Sequence, residues 1–146
     1  MASQRIGVIS CSGEECLGGT ISRLAVRKIM EELRRGKTST LCLPLFIAGD
    51  GAERGFAEKY PTIAVDGCSK CCAKRGIEKY SNAVAGSIAV SEIIGEEAAL
   101  DKPLSTRNLT EKHLEYVKEV ADKICEIFDE ISLNQSDPDQ FPLISL

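Results

Sequence analysis

Hydrophobic and polar positions form alternating blocks along this chain, with short apolar runs followed by amphipathic stretches. The apolar runs lie at residues 5–10, 39–49, 62–66 and 87–92. Their nearly continuous apolar character is typical of parallel strands that are buried on both faces. Pro44 has no N–H to give to a strand ladder, so we expect the second strand to end near Cys42 and Leu43.

Apolar residues that recur every three or four positions predict helices between and after these runs. The first helical stretch ends near Gly36, a residue suited to a helix C-terminus. Two shorter helices are predicted, one before Pro61 and one from Cys72. The strongest pattern begins after Thr110. Its predicted apolar face consists of Leu114, Val117, Ala121, Ile124, Phe128 and Ile131.

This order of elements predicts an α/β fold with three layers. We expect a flavodoxin-like or Rossmann-like arrangement, in which a mainly parallel sheet of about four strands carries helices on both faces. The length of 146 residues is that of one domain. We assign the domain to residues 1–133 and treat residues 134–146 as a C-terminal tail.

Composition narrows the function classes. A net charge of -4 argues against a nucleic-acid surface, which needs an excess of Lys and Arg. The chain has no apolar run of the ~18 residues that a membrane span requires, and its N-terminus lacks the apolar region of a secretory signal. We therefore expect a cytoplasmic protein without membrane contact. A protein partner or a second copy of the chain is compatible with the composition but not specified by it.

The seven cysteines are the residues that say most about the function of the chain. In a reducing compartment, clustered cysteines indicate metal binding or redox chemistry rather than structural disulfides. Cys11 follows the first predicted strand, Cys42 ends the second, and Cys68 follows the third. The carboxyl ends of parallel strands meet at one edge of a sheet, so these thiols could converge on one metal ion. Either Cys71 or Cys72 has a suitable spacing from Cys68.

The segment AVDGCSKCCAKRGIEKY resembles the signature of the DGC-domain family, which is named for the Asp-Gly-Cys found here at 66–68. The family pattern continues with the Cys-Ala at 72–73. It also includes a Cys-Ser-Gly, here at 11–13, and a Cys-Leu-Pro, here at 42–44. The resemblance implies a zinc site without an established reaction. The implied ligands are Cys11, Cys42, Cys68 and Cys72.

A thiol–disulfide or sulfur-transfer enzyme that uses Cys68 and Cys71 is the alternative. A CxxC motif that follows a strand and opens a helix is typical of thioredoxin-like proteins. The sequence lacks the Trp before the motif and the Pro after it. Cys16, in a Gly-rich stretch near the same edge, is a candidate resolving cysteine or a further thiol of the metal site. An iron–sulfur cluster uses the same ligands as zinc and is the less favoured metal.

Other residues and motifs add no further enzyme class. Cys125 is predicted to pack in the core and His113, the single histidine, to lie on the surface. Neither Cys11 nor Cys16 begins a C-x5-R phosphatase loop. The glycines at 49–55 miss the dinucleotide-binding spacing, and the sequence contains neither a G-x4-GK[ST] loop nor a hydrolase triad. The sequence thus leaves open whether the protein is an enzyme.

Overall fold

The protein is described by a computed structural model over residues 5–135. Its strands are β1 (Ile6–Ser10), β2 (Thr38–Ser39), β3 (Thr62–Asp66) and β4 (Gly86–Ala89). They pair in parallel, in the order β2-β1-β3-β4. The predicted parallel α/β sheet of about four strands is confirmed. The strand order reverses between β1 and β3, and the crevice beyond such a reversal is where open α/β sheets bind ligands.

Helices flank the sheet throughout the described range. They are α1 (Leu17–Lys28), α2 (Leu43–Ala48), α3 (Gly51–Lys59), α4 (Cys72–Tyr80), α5 (Val90–Ile94), α6 (Glu96–Ala99) and α7 (Glu111–Gln135). A π-helical turn extends α1 and a 3-10 turn precedes α7. Within residues 5–135, none of these helices is both long and apolar enough to cross a membrane. Helix α7 continues two residues into the segment predicted as a tail, and residues 136–146 lie outside the described range.

The sheet separates two apolar clusters, which gives the molecule its three layers. Successive strand residues point to opposite faces. On one face, β1 and β3 pack with α1, α5 and α7. On the other face, Ile9 and Ala64 pack with α2, α3 and α4. The central strands β1 and β3 are therefore covered on both sides, which explains their continuous apolar character.

The second strand is shorter than the sequence predicted. β2 ends at Ser39, and Pro44 lies in the first turn of α2. Proline is favoured there because an N–H in the first turn of a helix has no intrahelical partner. Cys42 is consequently the N-cap of α2 rather than the end of a strand. The fourth strand likewise ends early, at Ala89, where α5 begins.

Helix α7 carries the predicted apolar face with one exception. Leu114 is 54% exposed, and burial along the helix begins at Val117. The N-terminus is capped reciprocally, because the His113 N–H donates to Thr110 Oγ1 and the Thr110 N–H donates to His113 Nδ1. His113 is therefore a helix-capping residue, beyond the plain surface role predicted for it. Cys125 packs against the first apolar cluster, in agreement with the sequence.

Candidate metal centre

Asp66 ends β3 and fixes the turn that follows. Its side chain is buried, with Oδ1 accepting the Ala73 N–H at 2.6 Å and Oδ2 accepting the Lys74 N–H at 3.1 Å. Burial raises the pKa of this carboxyl, although the two amide hydrogen bonds act in the opposite direction. Both amides belong to the first turn of α4, where helix N–H groups lack intrahelical partners. Asp66 therefore holds the start of α4 against the end of β3.

Cys11 is bonded directly to the same turn. Its thiol is buried, the Gly67 N–H donates to its Sγ at 3.3 Å, and Ser22 Oγ lies 3.6 Å from Sγ. Burial raises the pKa of Cys11, and the contacts with Ser22 and Gly67 partly offset that rise. The Cys11 N–H also donates to Val65, one step beyond the β1–β3 ladder. Cys11 thus joins the ends of the two central strands.

Glycines bring three backbone segments together around Cys11. A Cβ at Gly67 would lie 2.6 Å from the carbonyl carbon of Gly18, and one at Gly13 would lie 2.7 Å from the Cα of Gly19. Real Cβ atoms essentially never approach other atoms within 3.0 Å. Gly13 also has a φ of +65°, which side-chain-bearing residues rarely adopt. Glycine at these positions therefore lets the β1–α1 loop, the start of α1 and the turn after β3 pack without side chains between them.

A cavity of about 430 Å³ lies beyond the carboxyl ends of β1 and β3. Charged side chains at its wall come from Glu14, Glu15 and Lys70. Its wall also contains four thiols. These belong to Cys11, Cys16, Cys68 and Cys72, and together with this cavity we call them the thiol cavity. The structure therefore brings together three of the four predicted ligands and adds Cys16, whereas the exposed Cys42 is not among the lining residues.

A family model of the DGC domain matches residues 7–124. The chain belongs to the DGC domain family. The matched range runs from β1 into α7 and contains every residue of the thiol cavity. Neither the curated proteins nor the solved structures include a significant match to this chain.

The thiols of this DGC domain share a cavity without forming a finished metal shell. All seven cysteines are free. Within residues 5–135, no three Cys, His, Asp or Glu side chains are already arranged to hold a metal ion. A metal ion in the cavity would thus require the thiol side chains to turn toward a common centre.

The DGC turn also distinguishes Cys71 from Cys72. The backbone of Cys71 adopts the left-handed helical conformation, with a φ of 52°, and its N–H donates to the Cys68 carbonyl at 3.2 Å. This tight turn leaves Cys72, and not Cys71, in the wall of the cavity. Burial raises the pKa of Cys71, with Asp66 adding to the rise. A raised pKa lowers the thiolate fraction that a redox nucleophile needs.

Sequence reasoning did not find the residues that support Cys11. Ser22 is buried in α1, where it also donates to the Gly19 carbonyl at 2.8 Å. Its signal in the sequence was a hydroxyl one helical turn before the apolar residues Ala25 and Val26. The glycine pair at 18–19 was visible, but its contact with Gly67 depends on strand pairing that no local pattern reveals.

Proposed function

We propose that this DGC domain binds zinc at the carboxyl edge of its sheet. The proposed ligands are the thiolates of Cys11, Cys68 and Cys72, with Cys42 as the fourth ligand that the sequence predicts. One observation carries the proposal: the thiol cavity gathers cysteines from the loops after β1 and β3. Cys11 and Gly67, 56 positions apart in sequence, are hydrogen-bonded in its wall.

The donor set supports a thiophilic metal. Thiolate sulfur favours zinc and iron–sulfur centres, whereas Mg²⁺ and Ca²⁺ prefer oxygen ligands. The wall of the thiol cavity contains no histidine. Four thiolates suit the tetrahedral coordination of zinc, and bound zinc would hold them in such a shell.

The surroundings of Cys11 suit a metal-bound thiolate. An N–H that donates to sulfur favours the charged form, and the Gly67 N–H is in position to do so. Burial in the metal-free protein favours the neutral thiol. A divalent cation reverses that preference, because its charge stabilises a neighbouring thiolate. The Gly67 and Ser22 contacts would then orient the ligand, as outer hydrogen bonds commonly do at metal sites.

Zinc in this domain would be held for handling or sensing rather than for folding. Small zinc domains need their metal because they lack an adequate core. This domain has an apolar cluster on each face of its sheet, with Ile21, Ile63 and Val120 fully buried in one and Phe46 and Ile77 in the other. We expect the metal-free protein to keep its secondary structure.

Elemental analysis of protein purified anaerobically, without chelator, tests the proposal. We expect about one zinc ion per chain in the wild type and in a Cys125→Ser control, whose altered thiol lies on α7. A Cys68→Ser variant should lose the metal and keep its circular dichroism spectrum. Absence of zinc from the wild type, or full zinc in Cys68→Ser, would contradict the proposal. Iron and visible absorbance in place of zinc would instead indicate an iron–sulfur centre.

The alternative function, thiol–disulfide or sulfur-transfer chemistry at Cys68 and Cys71, has less support. The turn does place the two residues close together, with the Cys71 N–H bonded to the Cys68 carbonyl. The raised pKa of Cys71 opposes its use as a nucleophile. Metal-free wild type that readily forms a Cys68–Cys71 disulfide would favour this alternative.

A further inference from the structure

Cys16 is the thiol of the cavity that the proposed ligand set does not use. It lies at the end of the β1–α1 loop, half-buried, in the same wall as Cys11, Cys68 and Cys72. Cys42 is exposed and lies outside that wall. Cys16 is therefore a fourth thiol in the cavity wall, which does not include Cys42.

The backbone of Cys16 is held firmly while its side chain stays available. Cys16 is the N-cap of α1, and its carbonyl accepts the N–H groups of Gly19 and Thr20 at 3.1 and 3.4 Å. The next residue, Leu17, donates its N–H to the Asp101 carbonyl at 2.7 Å. The Cys16 side chain makes no capping hydrogen bond. The Cys16 thiol is thus not used to cap the N-terminus of α1.

We propose that Cys16 is a ligand of the zinc site, in alternation with Cys42. The inference rests on the proposed zinc function. With Cys11, Cys68 and Cys72 as the constant ligands, Cys16 completes the shell from within the same cavity wall once the four thiols turn toward a common centre. In a second arrangement, Cys42 takes the place of Cys16. Two interchangeable fourth ligands give the metal a route in and out by ligand exchange, which suits handling or sensing.

A double-mutant cycle at Cys16 and Cys42 tests this inference. The measurement is the Zn²⁺ dissociation constant of the reduced protein, obtained by competition with a chromophoric chelator. Both positions are helix N-caps, where serine is preferred, so Cys16→Ser and Cys42→Ser should leave the fold intact. Co²⁺ substitution provides a second readout, because sulfur-to-cobalt charge-transfer absorbance counts the bound thiolates. Cys125→Ser is the matched control.

Each single variant should retain Zn²⁺ with an affinity within about tenfold of wild type, because the other thiol replaces the missing one. The double variant should bind on the order of a hundredfold or more weakly, since each ligand supplies a large share of the binding free energy. A loss of that size in Cys16→Ser alone would show Cys16 to be a ligand but would overturn its alternation with Cys42.

Equal affinities for Cys42→Ser and the double variant would overturn the role of Cys16. In that result, tight Zn²⁺ binding by the wild type and by Cys125→Ser would leave the zinc function standing. If the wild type itself bound no Zn²⁺, the zinc function and the inference would both fail. The two failures are therefore distinguishable in one set of titrations.

Discussion

Replacing Asp66 with alanine should destabilise the protein more than removing an ordinary helix cap does. The substitution leaves the Ala73 and Lys74 N–H groups without their acceptor, in a turn where Asp66 is 2% exposed. Hydrogen bonds to a charged group contribute about 1.5–3 kcal/mol each. Removing the carboxylate also relieves the cost of burying it, the same cost that raises its pKa. We therefore expect a net loss of about 2–4 kcal/mol in the free energy of unfolding.

Urea unfolding of the reduced, metal-free protein measures this loss, and Asp50→Ala is its matched control. Asp50 is the N-cap of α3, and its side chain accepts a single N–H, from Glu53, at 3.1 Å in a partly buried position. Its replacement should cost about 1 kcal/mol. Asp66→Ala should also weaken Zn²⁺ binding, because Asp66 fixes the turn that carries Cys68 and Cys72, whereas Asp50→Ala should not. Equal destabilisation by the two alanine variants would refute the assigned role of Asp66.

Two further predictions concern the surroundings of Cys11. Gly19→Ala should lower the free energy of unfolding by about 1–3 kcal/mol, because its Cβ would lie 2.6 Å from the Gly13 carbonyl oxygen. The control, Gly55→Ala in α3, places its Cβ in open space and should raise the free energy of unfolding by about 0.5–1 kcal/mol. If urea unfolding gave the reverse order of stabilities, the close packing at Gly19 would be disproved. Because burial raises the pKa of Cys11 in the folded state, the metal-free protein should lose stability as the pH rises from about 8.5, the ordinary thiol value, through the higher folded value. Cys11→Ala should lose less over that range, and an unchanged slope in urea titrations from neutral to alkaline pH would show that Cys11 does not contribute.

The central strands and the Asp-Gly-Cys turn were predictable because their signals are local. The run at 62–66 is β3 itself, and Gly67 marks its sharp end. Placing Cys11 near Cys68 required only one added rule, that parallel strands end at a common edge. That rule needs no knowledge of side-chain contacts, and so it succeeded from the sequence alone.

The end of the second strand, and with it the structural position of Cys42, was predicted less well, for a physical reason. An apolar run with Pro44 inside it suits a broken strand and the first turn of a buried helix equally, and periodicity cannot separate the two over so few residues. The contact between the start of α1, which follows Cys16, and the turn after β3 could not be predicted for a different reason. Gly18 and Gly67 meet only after β1 and β3 pair, and this contact between distant segments has no periodic pattern in the sequence.

The bond between the Gly67 N–H and Cys11 also has a consequence for synthesis of the chain. The two residues are 56 positions apart, so at about 5–20 residues per second the ribosome adds Gly67 about 3–11 seconds after Cys11. Throughout that interval the Cys11 thiol lacks its Gly67 donor, and the cavity does not yet exist. Under the proposed zinc function, metal loading would therefore follow the synthesis of β3, and a nascent chain arrested before β3 should not retain the ion.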